Sequence, residues 1–387
     1  KGSQLNVIGA GGEDLLMPAT QLLGAPSQWL SLLSQVAVAV AVAKNIERPN
    51  GTDGVEAGDV AKRIAESLAS GERKAVFLGN AAVAHPQFSQ LHALAQWVAQ
   101  QTGATLGFLT EAANTVGGYI AGALPQSNGL DAAAMLAQPR RAYVLLGAEP
   151  EFDTANPTQA RAALDQADTV IVLASFASRA ALEYADVLLP TAPFTETSGT
   201  FVNCEGLPQS FSGVVRSLGD SRPAWKVLRV LGNLLNLSGF DYDTSEVVRN
   251  DVLAKPVTDR LSNATTAQTA APAAAAAGIE RLADVPIYHA DPIVRRAGSL
   301  QLTAAARAAV RAGLPADLFA QLGLANGDAV RVTQGQGSVV LPAVLDKSLA
   351  SGVIRVPAAT EASAQLGAMF GAVSVEKVES SALAATV

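Results

Sequence analysis

The chain has 387 residues, 49% hydrophobic and 16% charged, a globular composition long enough for roughly two to three domains. A formal net charge of −7 argues against a nucleic-acid binder, because phosphate contacts need a surplus of Lys and Arg. The single cysteine, Cys204, excludes an intrachain disulfide, and also a cluster held by this chain's thiolates alone, which takes about four.

Lys1–Gln4 leads directly into the strand-like run Leu5–Ala10, with no charged leader region, no cleavage site and no initiating Met, so the sequence reads as a piece lacking an N-terminal portion. The apolar stretch Trp29–Ala43 is shorter than the ~20 residues of a membrane span and is interrupted by Ser31, Ser34 and Gln35. It reads as a short helical turn followed by a buried strand, Val36–Ala43, and no direct membrane insertion is expected. Asp59–Ala69 is helical, Ala75–Gly79 a strand, and Pro86–Gln101 a helix with Phe88, Leu91, Leu94, Ala95 and Val98 on one face. Thr105–Leu109 is the next strand.

The scheme repeats with strand Ala142–Gly147, helix Pro157–Ala167, strand Asp168–Ala174, helix Ser178–Tyr184 and strand Asp186–Leu189. Short apolar runs alternating with helices imply parallel strands joined by crossover helices. Helices follow over about Arg222–Leu237, with Pro223 in the first turn, and Asp243–Leu253, opened by Asp243 with Glu246 three residues later. Asn263–Gly278, rich in Ala and Thr, reads as a linker or poorly ordered insert. Gly327–Thr333, Ser338–Leu345 and Gly352–Pro357 are β-rich and punctuated by Gly335 and Gly337. The expected organisation is a first α/β unit over 1–125, a second over 126–262, a linker over 263–280 and a small barrel-like domain over 281–387.

Most candidate sites have weak support. Gly9-Ala10-Gly11-Gly12 follows a strand, but Asp14 stands where the last glycine of a phosphate-cradling G-x-G-x-x-G would be, which favours a plain strand-to-helix turn. His85 and His92 lie seven apart on one helical stretch, the wrong spacing for a shared metal, and no metal ligand set is expected. Ser175 has no flanking glycine elbow, and Cys204 sits beside Glu205, which does not lower a thiol pKa; no catalytic residue is expected. The densest polar segment is Ala185–Gln209. It follows a strand C-terminus, where open α/β sheets bind ligands, but a loop that ties two domains together through its own hydrogen bonds is the preferred reading.

That segment resembles the A-D-V-x-L-P … E-x-x-G-T-x-x-N-x-E-G-R-x-Q signature of the molybdopterin oxidoreductase superfamily. The matching residues are Ala185, Asp186, Val187, Leu189, Pro190, Glu196, Gly199, Thr200, Asn203, Glu205, Gly206 and Gln209. Val144–Pro150 is similar to the superfamily's L-L-G-x-N-P element, and Leu322–Asp328 to the start of its closing barrel. The resemblance implies a layered parallel-sheet α/β body of two tandem units, like formate dehydrogenases and DMSO reductases, with a small C-terminal barrel. Two departures stand out: Leu207 replaces the signature Arg, and Glu149 replaces the Asn. Leucine offers no donor to a phosphate or pterin, and a carboxylate would repel an anionic dinucleotide. These departures, with the helix opening at Ala224-Trp225-Lys226, point to the branch similar to the large iron–sulfur subunits of bacterial complex I rather than to catalytic molybdenum enzymes such as formate dehydrogenases or nitrate reductases. On that resemblance Glu196, Gly199, Thr200, Asn203, Glu205 and Gly206 are vestiges of a cofactor motif. This part would hold no cofactor, with iron–sulfur clusters in an N-terminal portion of the subunit. The whole subunit would relay electrons from NADH toward quinone, and this part would support the peripheral arm among its other subunits, on the cytoplasmic side of the inner membrane.

Overall fold

The computed structural model describes residues 2–379 and 381 and resolves the chain into two units, one of 1–109, 155–158 and 263–387, the other of 110–154 and 159–262. In the first, β1 (Leu5–Gly9) pairs in parallel with β2 (Ala19–Leu23), Leu5 opposite Ala19. The expected strand at Val36–Ala43 is instead part of one helix, α1 (Trp29–Lys44), which ends in left-handed Asn45 with the Ile46 N–H on the Ala41 carbonyl. The reason lies in burial: Val36 to Ala41 are all inside, so no polar face marks the helical period, and the Val/Ala alternation imitates a strand. By length and composition Pro26–Lys44 passes for a membrane span, but most of it packs into the core of this unit.

α2 (Asp59–Ser70) lies against α1. β3 (Ala75–Leu78) and β4 (Thr105–Phe108) are parallel and joined through α3 (Phe88–Thr102), which buries Leu91, Leu94, Ala95 and Val98 as its periodicity requires.

In the second unit β5 (Ala142–Leu146), β6 (Thr169–Ala174) and β7 (Val187–Pro190) form a parallel sheet in that order, with α4 (Pro157–Asp165) and α5 (Arg179–Tyr184) as crossovers. Tyr143, Val170 and Val172 carry its core, against Leu164 of α4. Ser178 caps α5 by accepting the Ala181 N–H. β8 (Gly199–Val202) and β9 (Pro208–Phe211) form an antiparallel hairpin. α6 (Ala224–Leu234) starts after Pro223. α7 (Ser245–Val252) is capped by Thr244, whose hydroxyl accepts the Val247 N–H, and not by Asp243.

Residues 263–278 are not a loose linker. They run without regular structure along the first unit, where the Gln96 amide both donates to the Thr265 carbonyl (3.1 Å) and accepts its N–H (2.8 Å). Asn263 donates to the Leu106 carbonyl at 2.8 Å, and the Ala276 N–H reaches the Ser27 hydroxyl at 3.1 Å. Side-chain amides supply the order that the alanines cannot.

β10 (Ile279–Leu282), β11 (Ala312–Leu314), β12 (Ala329–Gln334), β13 (Gly337–Leu345), β14 (Val353–Arg355) and β15 (Phe370–Lys377) close into a barrel in the order β10-β14-β11-β13-β12-β15. β12 and β13 are joined at Gly335, whose positive φ of 58° suits the tight turn. Leu314, Val330, Val332, Leu341 and Ile354 fill the barrel core. Leu282, Leu349, Val353 and Phe370 share a second core with Trp29, Leu30 and Leu94, which is why barrel and first stretch form one unit and not separate domains. The fold is thus mixed α/β with parallel sheets and a closed six-stranded barrel.

Candidate functional site

The signature residues build the β8–β9 hairpin. The Asn203 side-chain oxygen accepts the Glu205 N–H (3.0 Å) and the Leu207 N–H (2.9 Å), while its carbonyl accepts the Gly206 N–H (2.9 Å). Gly206 takes φ +81°, and a Cβ there would meet the Leu261 side chain at 2.7 Å, so glycine is required twice over. The Thr200 and Ser210 hydroxyls pair across the strands at 3.0 Å. At Gly199 a Cβ would meet the Phe211 ring at 2.6 Å. Glu196 accepts the Leu218 N–H at 3.0 Å, and the neighbouring Thr195 carbonyl accepts that of Val214 at 2.7 Å. Glu205 and Cys204 are exposed on the turn, as is Leu207, which stands where the signature has Arg. Asp186 accepts the Val170 N–H at 2.7 Å and fixes the end of β7 beside β6. The hairpin turn is therefore held by its own bonds, and the rest of the segment by bonds to Val170, Leu218 and Asn114. Sequence reasoning missed Asn114, whose side-chain oxygen accepts the Val202 N–H at 2.8 Å, because nothing local marks it.

The turn after β5 is anionic. Gly147 adopts φ +61° and donates to the Leu173 carbonyl at 2.8 Å. Glu149 is only 5% exposed, and its N–H donates to Asp153 at 2.8 Å. Burial raises the Glu151 carboxyl above its ordinary pKa, with Glu149 and Asp153 adding to the rise, and Ser178 donates to it at 3.3 Å. Tyr184 is pushed up too, first by burial and then by Glu151 and Glu149. Arg161 lies over the Tyr184 ring, but its guanidinium is engaged by Asp165 (2.7 Å) and Glu183 (2.9 Å). An anionic pterin dinucleotide needs donors at this turn and hairpin. Three carboxylates and a leucine do not provide them, so the residues present do not fit that cofactor.

The remaining candidates fall to packing. Gly9–Gly12 leads to β2 and not to a helix, and it pairs with residues 348–350: the Gly12 N–H donates to the Ser348 carbonyl (2.7 Å) and the Ala350 N–H to that of Ala10 (2.9 Å). His85 precedes α3 rather than lying on it. Its ring sits between Trp29 and Phe370, with Nε2 on the Pro26 carbonyl (3.1 Å) and Nδ1 accepting the Gln87 N–H (3.1 Å); burial lowers its pKa. His92 stacks on Phe88 and bonds the Asn263 carbonyl at 2.7 Å. Ser175 is exposed. A feature the sequence did not single out is Arg281 of β10, 2% exposed and bonded to the Val356, Pro357, Gly367 and Ala368 carbonyls and to Gln334. Burial lowers its pKa to about 10.

Residues 43–234 match the molybdopterin oxidoreductase family. The NADH-quinone oxidoreductase subunit lettered G of Mycobacterium bovis and its counterpart in Mycobacterium tuberculosis are each 29% identical over 230 residues, 57% of this chain and 27% of the relative. Among solved structures, acetylene hydratase from Pelobacter acetylenicus aligns at 15% identity with a TM-score of 0.46, over 64% of this chain and 46% of that one. A rationally designed protein, mkDPBB_sym_86, aligns at 20% identity and a TM-score of 0.18, over 26% of this chain and 90% of its own. The chain thus carries a molybdopterin-oxidoreductase-like domain with partial similarity to that NADH-quinone oxidoreductase subunit, and the matched stretch spans about a quarter of those relatives' length.

Proposed function

We propose that this chain is a structural part of an NADH-quinone oxidoreductase large iron–sulfur subunit and binds no molybdopterin. The observation that carries the reading is the chemistry of the former cofactor motif. Asn203, Gly206, Glu196 and Thr200 are bonded within residues 196–218, and buried Glu149 and half-buried Glu151 stand where an anionic cofactor would need donors. In this reading the subunit passes electrons from NADH toward quinone through iron–sulfur clusters outside residues 1–387. This part braces the peripheral arm against other subunits, on the cytoplasmic side of the bacterial inner membrane.

Metal and pterin analysis of the whole subunit tests the reading. The expected result is no molybdenum or tungsten and no fluorescent oxidised pterin. Stoichiometric metal with pterin would make the protein a molybdopterin enzyme instead. Deleting 110–262 should lower the yield of assembled oxidoreductase, and normal assembly would refute the bracing role.

A further inference from the structure

A cleft of about 530 Å³ lies within the first unit, walled by residues 46–50 after α1, by α3 from Ala93 to Gln101 and by residues 265–269. Its walls are mainly polar and carry one carboxylate, Glu47, beside one guanidinium, Arg48. Neither a lipid tail nor a strongly charged ligand matches such walls. Asn50, Gln100 and Gln101 bring carboxamides that have no hydrogen-bond partner among the described residues, and the Trp97 indole N–H has none either. The backbone N–H groups of Gln268 and Thr269 are likewise unpaired, which leaves an open main-chain edge along the third wall.

The same cleft shows what such groups hold. Gln96, one turn before Gln100 on the same helix face, donates to the Thr265 carbonyl at 3.1 Å and accepts the Thr265 N–H at 2.8 Å. The N–H and C=O of one residue point the same way only where the backbone is extended, so Gln96 grips Thr265 as a neighbouring strand would. Gln100 repeats that carboxamide one turn on, with nothing in its grip.

We propose that this cleft seats an extended, uncharged segment of a partner polypeptide, laid between the main-chain edge at Gln268–Thr269 and the carboxamides of Asn50, Gln100 and Gln101. A peptide fits better than a sugar because one wall offers unpaired backbone groups, which a second extended chain satisfies by sheet-like pairing. Each free carboxamide offers both donors and an acceptor, the pair that a backbone N–H and C=O require. The grip of Gln96 on Thr265 is that recognition already made within the chain. The segment is uncharged because Glu47 and Arg48 leave the cleft no surplus of either sign. The source of the segment, a neighbouring subunit, rests on the bracing role proposed above.

The test is photo-crosslinking in the full-length polypeptide within its natural assembly, with benzoylphenylalanine replacing Gln100 or, separately, Gln268. The expected product joins both positions to one and the same segment of another subunit. Crosslinks only within this polypeptide, only to a second copy, or to no polypeptide would overturn the proposal. Adding Gln100→Ala and Gln101→Ala to the Gln268 variant should lower its crosslink yield several-fold, and an unchanged yield would overturn the proposal equally. Hydrogen exchange of the unsubstituted assembly guards against misfolding of the variants. It should show protection at the Gln268 and Thr269 amides, which have no partner within the chain, and exchange at the rate of a free peptide would overturn the proposal. The cleft lies outside 110–262, so if these tests fail while deletion of 110–262 still lowers assembly, the contact falls and the bracing role stands.

Discussion

The C-terminal barrel and the three-stranded sheet use the same residue types to different ends. The barrel is closed: every strand has two neighbours, and Val330, Val332, Leu314 and Ile354 are wholly inside. Its one buried cation among the described residues, Arg281, is held by four carbonyls and a carboxamide. The β5–β7 sheet is richer in Val and Leu, yet leaves three of its nine, Val144, Leu146 and Val187, exposed. Closure removes edges and defines one interior, so the barrel's stability is internal. An open parallel sheet has no such closure. The molybdopterin-oxidoreductase-like signature sits beside that open sheet, in a hairpin whose polar groups hold the hairpin itself.

The largest effect should come from the barrel. Ile354→Ala removes a fully buried side chain and should cost about 2–5 kcal/mol in urea unfolding monitored by Trp fluorescence. A loss below about 1 kcal/mol would mean the barrel interior relaxes around the cavity and is not the rigid half of the contrast. Gly199→Val drives a side chain into the Phe211 ring and should destabilise the hairpin by about 1–3 kcal/mol. Hydrogen exchange at β8 and β9 would report it, and unchanged protection would show that the ring moves freely.

Asn203→Ala deletes the acceptor of two backbone N–H groups and should cost about 1–2 kcal/mol of the same local stability. On the structural reading it changes no cofactor content. A measurable fall in bound pterin would return the hairpin to cofactor binding.

The first unit carries a pH dependence at His85. Burial lowers the His85 pKa below its ordinary value, so the unfolded chain binds more protons between the two pKa values. The stability from keeping this ring neutral is fully present above the unfolded value near 6.5 and is lost as pH falls from there toward the folded value. Melting temperature should drop over that range, and His85→Phe should flatten the drop. An identical slope in the variant would assign the effect to other groups. The smallest effect is expected at Val144→Ala, within about 0.5 kcal/mol for a half-exposed residue. A much larger cost in the full-length polypeptide would show that the sheet face is covered there.

The sequence carried most elements because their signals are local. α3 was legible from Leu91, Leu94 and Val98 at helical spacing, and β6 from its run of Val, Ile and Leu between polar ends. Asn203 and Gly206 read from the sequence only as part of a polar segment, although the turn they form needs those residue types for its left-handed backbone and side-chain-to-backbone bonds. α1 was misread because burial of every residue from Val36 to Ala41 erased the polar stripe that distinguishes a helix from a strand. The barrel was only half seen: β10 and β11 are three or four residues long, and their partners lie far away in the chain. The order of 263–278 was hidden for the same reason, because it comes from Gln96 and Asn263 and not from the Ala and Thr that fill the segment.

By itself the sequence determined the alternation of strands and helices, the glycine-dependent turns and the loss of the signature Arg at Leu207, since backbone geometry and donor chemistry are properties of single residues and near neighbours. Only the tertiary structure decided that Val36–Ala41 is helical, that Arg281 lies inside the barrel, that Gly9–Gly12 pairs with residues 348–350 and that Val144, Leu146 and Val187 stay exposed. Each of those depends on which distant residue fills the space or supplies the hydrogen bond, and local spacing carries no record of that.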